Sequence, residues 1–373
     1  MRILVDYRPA LRQRTGVGEY VHETARALVA SSPPQESLTL FSSSWKDRLP
    51  ADAIPGAQQV DRRLPVRLLN LAWHRLGWPP VERLTGHTFD IVQSSHPLLV
   101  PASPRAARLV TIYDLDFLDH PERTTREIRR DYPALAGSHA RQADQVIVIS
   151  SHTAESVVTR LGVPASRVSI CRPGAPAWPA RESEPASGGT ILFLGSIEPR
   201  KNLNVLLDAY ERLLSAPAVL PRLVLAGGLS EQSAPILDRL KRPPLAGRVD
   251  VPGYVSATNR QALYRQALVF VMPSHTEGFG MPVIEAMVIG VPVIAADRGA
   301  LPEAAGDAGI LVPAGDSLVL AQELSLLLGD ATRRRAMTDR GWEHARHFTW
   351  ARTADQTRQA WAHATSHARM RRG

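Results

Sequence analysis

The sequence contains a single cysteine, Cys171, among its 373 residues. One thiol cannot form an intrachain disulfide or a cysteine-rich zinc site, and chains without disulfides are typical of reducing compartments. The first residues lack the continuous apolar core of a signal peptide, and no apolar run is long enough to cross a bilayer. We therefore expect a cytoplasmic protein.

Acidic residues are not in excess either. Lys and Arg number 44 against 36 Asp and Glu, which gives a formal net charge of +8. A basic surface favours anionic partners such as nucleotide phosphates, lipid headgroups or nucleic acid. An arginine-rich surface without any such partner would give the same total, so net charge alone selects no function.

The apolar pattern predicts strands that alternate with helices in both halves of the chain. The first half opens with a buried strand over residues 1–6, a glycine turn at 16–18 and a helix over 19–30. The pattern restarts at Thr190, after the segment 171–189, whose Pro, Gly and Ser content predicts a linker. Such alternation builds parallel sheets, and the length suits two domains. We therefore predict an α/β protein with two doubly wound, Rossmann-like domains.

Residues 273–290, PSHTEGFGMPVIEAMVIG, carry the most informative chemistry. A predicted strand runs into a loop with Glu277 and Gly278-Phe279-Gly280, and a helix with Glu285 follows. The glycines let backbone amides approach a ligand, and a helix N-terminus favours phosphate. Two carboxylates in this place suit hydrogen bonds from hydroxyl groups of a sugar and of a ribose. The alternative is that both glutamates only stabilise the helix N-terminus.

A second segment, GSIEPRKN at residues 195–202, directly follows another predicted strand. Arg200 and Lys201 bring cationic donors to the strand end, where a pyrophosphate would bind. A basic pair at a helix end without a ligand is the alternative.

The two glutamates, separated by seven residues, resemble the motif of GT-B-fold retaining glycosyltransferases of family four. The resemblance implies that Glu277 contacts the hydroxyls of the donor sugar and that Glu285 binds the ribose. Gly278, Phe279 and Gly280 would belong to the same donor-binding site. It also implies a central cleft between the two domains.

The same resemblance gives the domain limits. Residues 1–175 would form an acceptor-binding domain and residues 188–350 a nucleotide-sugar-binding domain. A final helix at about residues 351–373 would cross back to the first domain.

The RKN element and a GYV element extend the resemblance. They imply that Lys201 and Arg200 neutralise the leaving diphosphate and that Tyr254 and Val255 lie against the nucleobase. Ser196 stands in the donor site where many relatives have an arginine.

The first half of the chain resembles the family more loosely. Arg14 to Tyr20 is similar to a TGVGRY loop, in which Gly16 and Gly18 would face the donor phosphate. Residues 110–122 are similar to the TIHDLSF…HPE element of mannosyltransferase-like members, with Tyr113 in place of a histidine. Tyr113 and Asp114 would line the acceptor pocket, and Asp114 is a candidate catalytic group. In the retaining mechanism discussed for the family a phosphate oxygen of the donor takes the acceptor proton, so no protein base is required.

The resemblance thus implies transfer of a hexose, mannose from GDP-mannose for preference, to a surface glycan or a lipid-linked acceptor. UDP-glucose or UDP-N-acetylglucosamine as donor, and a GT-B sugar-nucleotide epimerase, are the alternatives. A phosphorylase would need a cofactor-bearing lysine, and only Lys241 remains besides Lys46 and Lys201. We expect no cofactor and no metal, because the 12 histidines show no metal-ligand spacing.

Residues 60–84 interleave five arginines with leucines, Trp73 and Trp78. That composition suits peripheral contact with anionic lipid headgroups at the inner face of a membrane. An amphipathic helix that packs on the first domain is the alternative. We expect no nucleic-acid partner, because arginines form no array beside aromatics elsewhere in the sequence.

Overall fold

A computed structural model describes residues 1–11, 14, 16–124, 126–185, 188–215 and 220–372. The chain divides into two compact units. The first unit comprises Met1–Gly174 together with Thr349–Gly373, and the second comprises Ala175–Phe348.

The first unit contains a parallel sheet of seven strands among the described residues, in the order β3-β2-β1-β4-β5-β6-β7. The strands are β1 Arg2–Asp6, β2 Ser37–Ser42, β3 Gln58–Asp61, β4 Ile91–Ser94, β5 Ala107–Ile112, β6 Gln145–Val148 and β7 Val168–Ile170. The helices that precede the second unit are α1 Gly16–Ala30, α2 Val66–Leu76, α3 Val81–Thr85, α4 Asp116–Asp119, α5 Arg126–Gln142 and α6 Ser151–Leu161.

The second unit repeats this plan with six parallel strands in the described residues, in the order β10-β9-β8-β11-β12-β13. The strands are β8 Thr190–Leu194, β9 Leu223–Ala226, β10 Val249–Gly253, β11 Ala267–Met272, β12 Val293–Ala296 and β13 Ile310–Val312. The helices are α7 Leu203–Leu214, α8 Ala234–Leu240, α9 Ala257–Gln266, α10 Met281–Ile289, α11 Leu301–Ala305, α12 Ser317–Gly329 and α13 Ala331–Ala345.

Both sheets have the strand order of a Rossmann fold, which confirms the prediction of two doubly wound α/β domains. The central strands are apolar along their length because helices cover both faces of the sheet. The order reverses between β1 and β4 in the first unit and between β8 and β11 in the second. Ligands of such sheets bind at the carboxyl ends of the strands on either side of this reversal.

A last helix, α14 Trp350–Arg372, returns to the first unit, as predicted. Its Trp361 is fully buried and donates a hydrogen bond from Nε1 to Gln93 Oε1 at 2.7 Å. Thr353 Oγ1 donates to the carbonyl of Arg172 at 2.6 Å. The end of the chain therefore completes the core of the domain with which the chain begins.

Three features differ from the sequence-based expectations. The edge strands β3, β7 and β13 were not predicted, because they are only three or four residues long and partly exposed. The sequence predicts helix from Leu318 to the end of the chain, but this stretch forms three helices, with breaks at Asp330 and at residues 346–349. The Asp330 carboxylate accepts the Arg333 amide at the start of α13.

The third difference concerns the predicted linker. Most of it is held to the second unit: Arg181 donates to the carbonyl of Ala267, and Glu184 pairs with Arg334 at 2.8 Å.

Candidate active site

The turn that carries Arg200 and Lys201 follows β8 and is attached to the end of β11. Asn202 adopts the left-handed conformation (φ 53°), which asparagine tolerates better than most residues. Its side-chain amide donates to the carbonyls of Pro273 and Ala314, and the His275 amide donates to the Arg200 carbonyl at 2.9 Å. These bonds join the two strand ends on either side of the reversal in the second sheet.

Lys201 and Glu277 consequently form a buried ion pair. Lys201 Nζ lies 2.6 Å from Glu277 Oε1, and each residue is only 7% exposed. Arg200 NH1 lies 3.5 Å from Glu277 Oε2 and also donates to the carbonyl of Thr276. Glu198 holds the other edge of the Arg200 guanidinium at 3.1 Å.

The two cations decide the charge of Glu277. Burial by itself would raise the pKa of its carboxyl, but the charges of Lys201 and Arg200 outweigh burial and hold that pKa below its ordinary value. Glu277 is therefore an anion at neutral pH, and the cluster combines one fixed carboxylate with two fixed cations.

The loop after Glu277 leads into α10 through Gly278, Phe279 and Gly280. Gly280 caps the helix at φ 106°, and a Cβ there would lie 2.9 Å from Leu301 Cδ2, so a larger residue does not fit. The Phe279 ring is buried against Phe348 at 5.5 Å between centroids. Only the backbone of Phe279 can therefore contact a ligand, whereas its ring anchors the loop.

Glu285 lies in α10 and is 3% exposed. Tyr264, in α9, donates its hydroxyl to Glu285 Oε2 at 3.0 Å, and Arg260 NH2 lies 3.4 Å from Oε1. The second glutamate is thus held in a polar cluster of its own, and sequence analysis did not identify Arg260 as belonging to the site.

Ser196 and Tyr254 lie at the carboxyl edge of the second sheet, just after β8 and β10. Ser196 is exposed, and the Tyr254 side chain is 45% exposed. Val255 is half-buried. These residues are available to a ligand at the strand ends, and the exposed Tyr254 ring offers a face on which a base can stack.

In the first unit, Gly16 and Gly18 open α1. A Cβ on Gly18 would lie 2.8 Å from the carbonyl oxygen of Pro9, so glycine is required where these two segments meet. Thr15, which belongs to the same motif, lies outside the described residues.

Tyr113 and Asp114 follow β5 at the carboxyl edge of the first sheet. The Tyr113 hydroxyl donates to the carbonyl of Ser95 at 3.4 Å, and its ring packs edge-on against Tyr20. Burial, reinforced by the charge of Asp6, raises the pKa of Tyr113 far above its ordinary value, so the phenol stays protonated. Asp114 Oδ1 accepts the amide of Asp116 at 3.2 Å.

Sequence analysis missed a cluster at the reversal of the first sheet. Asp6, at the end of β1, is fully buried and accepts two hydrogen bonds from the Arg8 guanidinium, at 2.7 and 2.8 Å, and one from the Arg8 amide at 3.2 Å. His96, just after β4, lies 3.1 Å from Asp6 through Nε2, while its Nδ1 accepts the Leu98 amide. Burial alone would raise the pKa of Asp6, but Arg8 and His96 hold it far below its ordinary value. The sequence offered one indication of this cluster, because Asp6 is an aspartate that ends a predicted buried strand.

Residues 60–84 contain two short helices, α2 and α3, and the two tryptophans of this segment differ in exposure. Trp73 is buried in the first unit and so cannot reach a membrane, which corrects its inclusion in the interfacial surface. Trp78 is 54% exposed, with the Arg83 guanidinium 5.8 Å from its ring centre. Across the described residues, no helix combines the length and apolar character that spanning a bilayer requires.

No group of three or more His, Cys, Asp or Glu side chains within the described ranges is arranged to hold a metal ion. The two strand-reversal clusters are instead built from ion pairs and hydrogen bonds.

Comparison with known proteins assigns the class. Residues 14–177 match the family model described as Glycosyltransferase Family 4, and residues 188–330 match the one described as Glycosyl transferases group 1. The two matches fall in different units and together span most of the chain. With two Rossmann-like domains, the protein is a GT-B-fold glycosyltransferase. Its two domains belong to the families that these two models describe.

Individual relatives agree with this class. The O-antigen chain mannosyltransferase B of Escherichia coli is 26% identical over 382 residues, which cover 97% of this chain and 99% of that protein. Several other curated relatives align over only about half of their own length.

Two solved structures share the fold. Sucrose-phosphate synthase from Thermosynechococcus elongatus has a TM-score of 0.76 at 21% identity and covers 97% of this chain and 98% of its own. The Anabaena protein HepE in complex with UDP-glucose has a TM-score of 0.72 at 16% identity, with 97% and 99% covered. At these identities the structures bear on the fold alone.

Proposed function

We propose that this glycosyltransferase is a retaining hexosyltransferase that moves mannose from GDP-mannose to a surface glycan or a lipid-linked acceptor. The observation that carries the proposal is the Lys201–Glu277 pair at the carboxyl edge of the second sheet. Mannose as the sugar is supported by the likeness to the O-antigen mannosyltransferase over nearly the whole of both chains.

The donor binds, in this proposal, at the carboxyl edge of the second sheet. Glu277 accepts hydrogen bonds from sugar hydroxyls, and Glu285 accepts those of the ribose. Lys201, Arg200 and the backbone amides of Gly278–Gly280 face the diphosphate, while Tyr254 and Val255 lie against the base. Ser196 offers a hydroxyl to the phosphates.

Catalysis then consists of stabilising the leaving group. Breaking the bond between the anomeric carbon and the diphosphate leaves positive charge on the ring and adds negative charge to the phosphate. Fixed cations at Lys201 and Arg200 stabilise that negative charge without reorganising, which is the usual source of large rate effects. The acceptor oxygen bonds to the anomeric carbon on the face from which the diphosphate departs, and a donor phosphate oxygen takes the proton of the acceptor hydroxyl. Tyr113 and Asp114 orient the acceptor in the first unit.

The test combines a donor screen with product analysis. GDP-mannose, UDP-glucose and UDP-N-acetylglucosamine are compared by thermal shift and by turnover on a lipid-linked acceptor, and proton NMR assigns the anomeric configuration of the product. A preference for a UDP-sugar would mean that GDP-mannose is not the donor. A product of inverted anomeric configuration would reject the retaining mechanism. Release of an epimerised sugar nucleotide would favour an epimerase. Turnover that survives EDTA is expected, because the protein supplies the cations. Loss in EDTA with rescue by Mg²⁺ would reject a metal-free mechanism.

We also propose that the outer face of α2 contacts anionic lipid. Three leucines of this helix and Trp78 are unusually exposed: Leu68 66%, Leu71 48%, Leu76 75% and Trp78 54%. The exposed arginines around them are Arg63, Arg67, Arg75 and Arg83. Apolar side chains among cations match the headgroup boundary of an anionic bilayer.

Vesicle co-sedimentation tests the lipid contact. The protein should pellet with phosphatidylglycerol vesicles, less in high salt, and the double variant Leu68→Ser, Leu71→Ser should stay in solution. Leu318→Ser, which changes a leucine that is 53% exposed in the second unit, serves as the matched control. Equal pelleting of both variants would reject this face.

A further inference from the structure

Glu285 is an acidic side chain in an almost fully buried position, 3% exposed. Burial favours the neutral form of a carboxyl group unless a nearby cation or hydrogen-bond donor stabilises the anion. A neutral carboxyl group is a poorer acceptor for hydroxyl groups than a carboxylate. Whatever pairs with the Glu285 carboxylate and fixes it therefore also controls how well it can hold a ribose.

The structure supplies that support from one face of α9. Arg260 and Tyr264 are four residues apart, so their side chains project from the same side of the helix. Arg260 NH2 lies 3.4 Å from Oε1 of Glu285, and the Tyr264 hydroxyl donates to Oε2 at 3.0 Å. Each carboxylate oxygen thus has a partner on α9.

Trp178, in the segment that precedes β8, contacts the Arg260 side chain and so fixes its position. The Arg260 guanidinium lies 5.3 Å from the centre of the Trp178 ring, and the same ring lies 6.1 Å from that of Tyr264. A cation over an indole face is attracted by the ring quadrupole, and burial strengthens the attraction. The Arg260 side chain is only 15% exposed.

We propose that Arg260 is a positioning residue for nucleotide recognition: it pairs with the Glu285 carboxylate and keeps it oriented toward the ribose hydroxyls, and Trp178 holds Arg260 in place. The inference rests on the proposed role of Glu285. Arg260 itself does not touch the nucleotide. Its loss therefore weakens the recognition of hydroxyl groups specifically and leaves the contacts to the base and the phosphates unchanged.

The test measures discrimination between ribose and its dideoxy form. Calorimetry gives the affinity for the tighter-binding of GDP and UDP and for its 2′,3′-dideoxy analogue, which lacks both hydroxyls. The wild-type protein should prefer the ribose form by at least tenfold, because a charged acceptor loses its donors in the analogue. Arg260→Leu should reduce that preference about tenfold, and Arg260→Lys should keep it within about threefold of wild type.

The response of the dideoxy analogue and a matched control separate positioning from general loosening of the fold. Arg260→Leu should weaken the binding of the ribose nucleotide and leave the binding of the dideoxy analogue unchanged, whereas general loosening would weaken both. Arg265→Leu is the matched control: Arg265 lies on the same helix and donates to the carbonyl of Pro179 next to Trp178. It should keep the wild-type preference.

The possible outcomes are distinct. If Arg260→Leu keeps the wild-type ribose preference while Glu285→Gln abolishes it, the role of Arg260 is overturned and the ribose role of Glu285 stands. A preference that survives Glu285→Gln would reject the ribose role of Glu285, and this inference with it. If Arg260→Leu does not fold, Trp178→Leu replaces it, with an expected drop of about threefold in preference, and an unchanged preference there overturns the proposal.

Discussion

Lys201 Nζ lies 2.6 Å from Glu277 Oε1, in a pair that is almost closed to solvent. The two residues follow β8 and β11, which are adjacent strands of the sheet, although the residues themselves are 76 positions apart in sequence. A buried ion pair contributes little to stability once desolvation is counted. Its presence at the strand reversal therefore favours a role in binding and catalysis over a purely structural one.

Lys201→Ala should reduce turnover on the order of a hundredfold, because the charge that stabilises the leaving diphosphate is lost. Lys241→Ala is the control, since Lys241 is exposed and pairs with Asp238. Steady-state kinetics together with melting temperatures separate catalysis from folding. Activity within twofold of wild type would reject the assignment.

The acid limb of the activity profile should move when the pair is broken. In the wild-type protein Lys201 and Arg200 hold the pKa of Glu277 below its ordinary value, so the carboxylate stays charged until the pH is well into the acid range. In Lys201→Met that pKa rises, and kcat/KM should fall at a higher pH than in the wild type. The pH dependence of kcat/KM between 4 and 8 measures the shift, and superimposable profiles would contradict the account.

Glu285→Ala should weaken nucleotide binding by tenfold or more. Its carboxylate is a charged acceptor in a buried position, and losing such a hydrogen bond costs about 1.5–3 kcal/mol. Calorimetry with GDP and UDP provides the affinity. Unchanged affinities for both nucleotides would remove Glu285 from the donor site.

Acid should destabilise the first unit through His74. Burial, reinforced by the neighbouring charge of His96, lowers the pKa of His74 to about 4, although Asp131 opposes this. In the unfolded chain the imidazole takes up its proton below about pH 6.5, so unfolding becomes easier as the pH falls from there toward 4. The loss amounts to about 3 kcal/mol over that window.

His74→Leu should lack this part of the acid dependence. Denaturant unfolding at pH 7 and at pH 4.5 gives the two free energies of unfolding for each variant. His363→Ala, which changes an exposed histidine, is the control and should keep the wild-type dependence. An equal loss of unfolding free energy between pH 7 and pH 4.5 in His74→Leu and in the wild type would show that His74 does not cause the acid dependence.

Trp361→Ala should lower the free energy of unfolding by about 3–5 kcal/mol, because a fully buried indole is removed. Gln93 would also lose the hydrogen bond it accepts from the indole. His363→Ala, on the exposed side of the same helix, should change stability little. Chemical denaturation measures both variants, and a small effect of Trp361→Ala would mean that α14 contributes little to the core of the first unit.

The local patterns predicted different parts of the fold unequally. Central strands such as β1, β8 and β11 are continuous apolar runs because helices cover both faces of the sheet, so their positions were predicted. The edge strand β3, Gln58–Asp61, has no such run, because it pairs on one side only and is partly exposed. A strand of that kind is stabilised by its neighbour more than by its own sequence.

The residues of the candidate site that are close in sequence could be identified before the structure. Glu277, the glycines that follow it and Glu285 lie within one loop and the start of one helix, so their resemblance to a family motif is visible in the sequence alone. The Trp73 side chain shows the opposite case. Its position among arginines suggested a surface role, but the packing of α2 turns it toward Phe41, at 6.0 Å between ring centroids.

The sequence by itself determined the alternation of strands and helices, the class of enzyme and the residues of each local motif. Tertiary structure alone decided which distant residues meet. Asp6 and His96 are 90 positions apart along the printed sequence, yet their side chains lie 3.1 Å from each other because β1 pairs with β4. Arg260 likewise reaches Glu285 only because α9 and α10 pack together. Strand order and helix packing depend on the whole core, and a local pattern of apolar residues does not encode them.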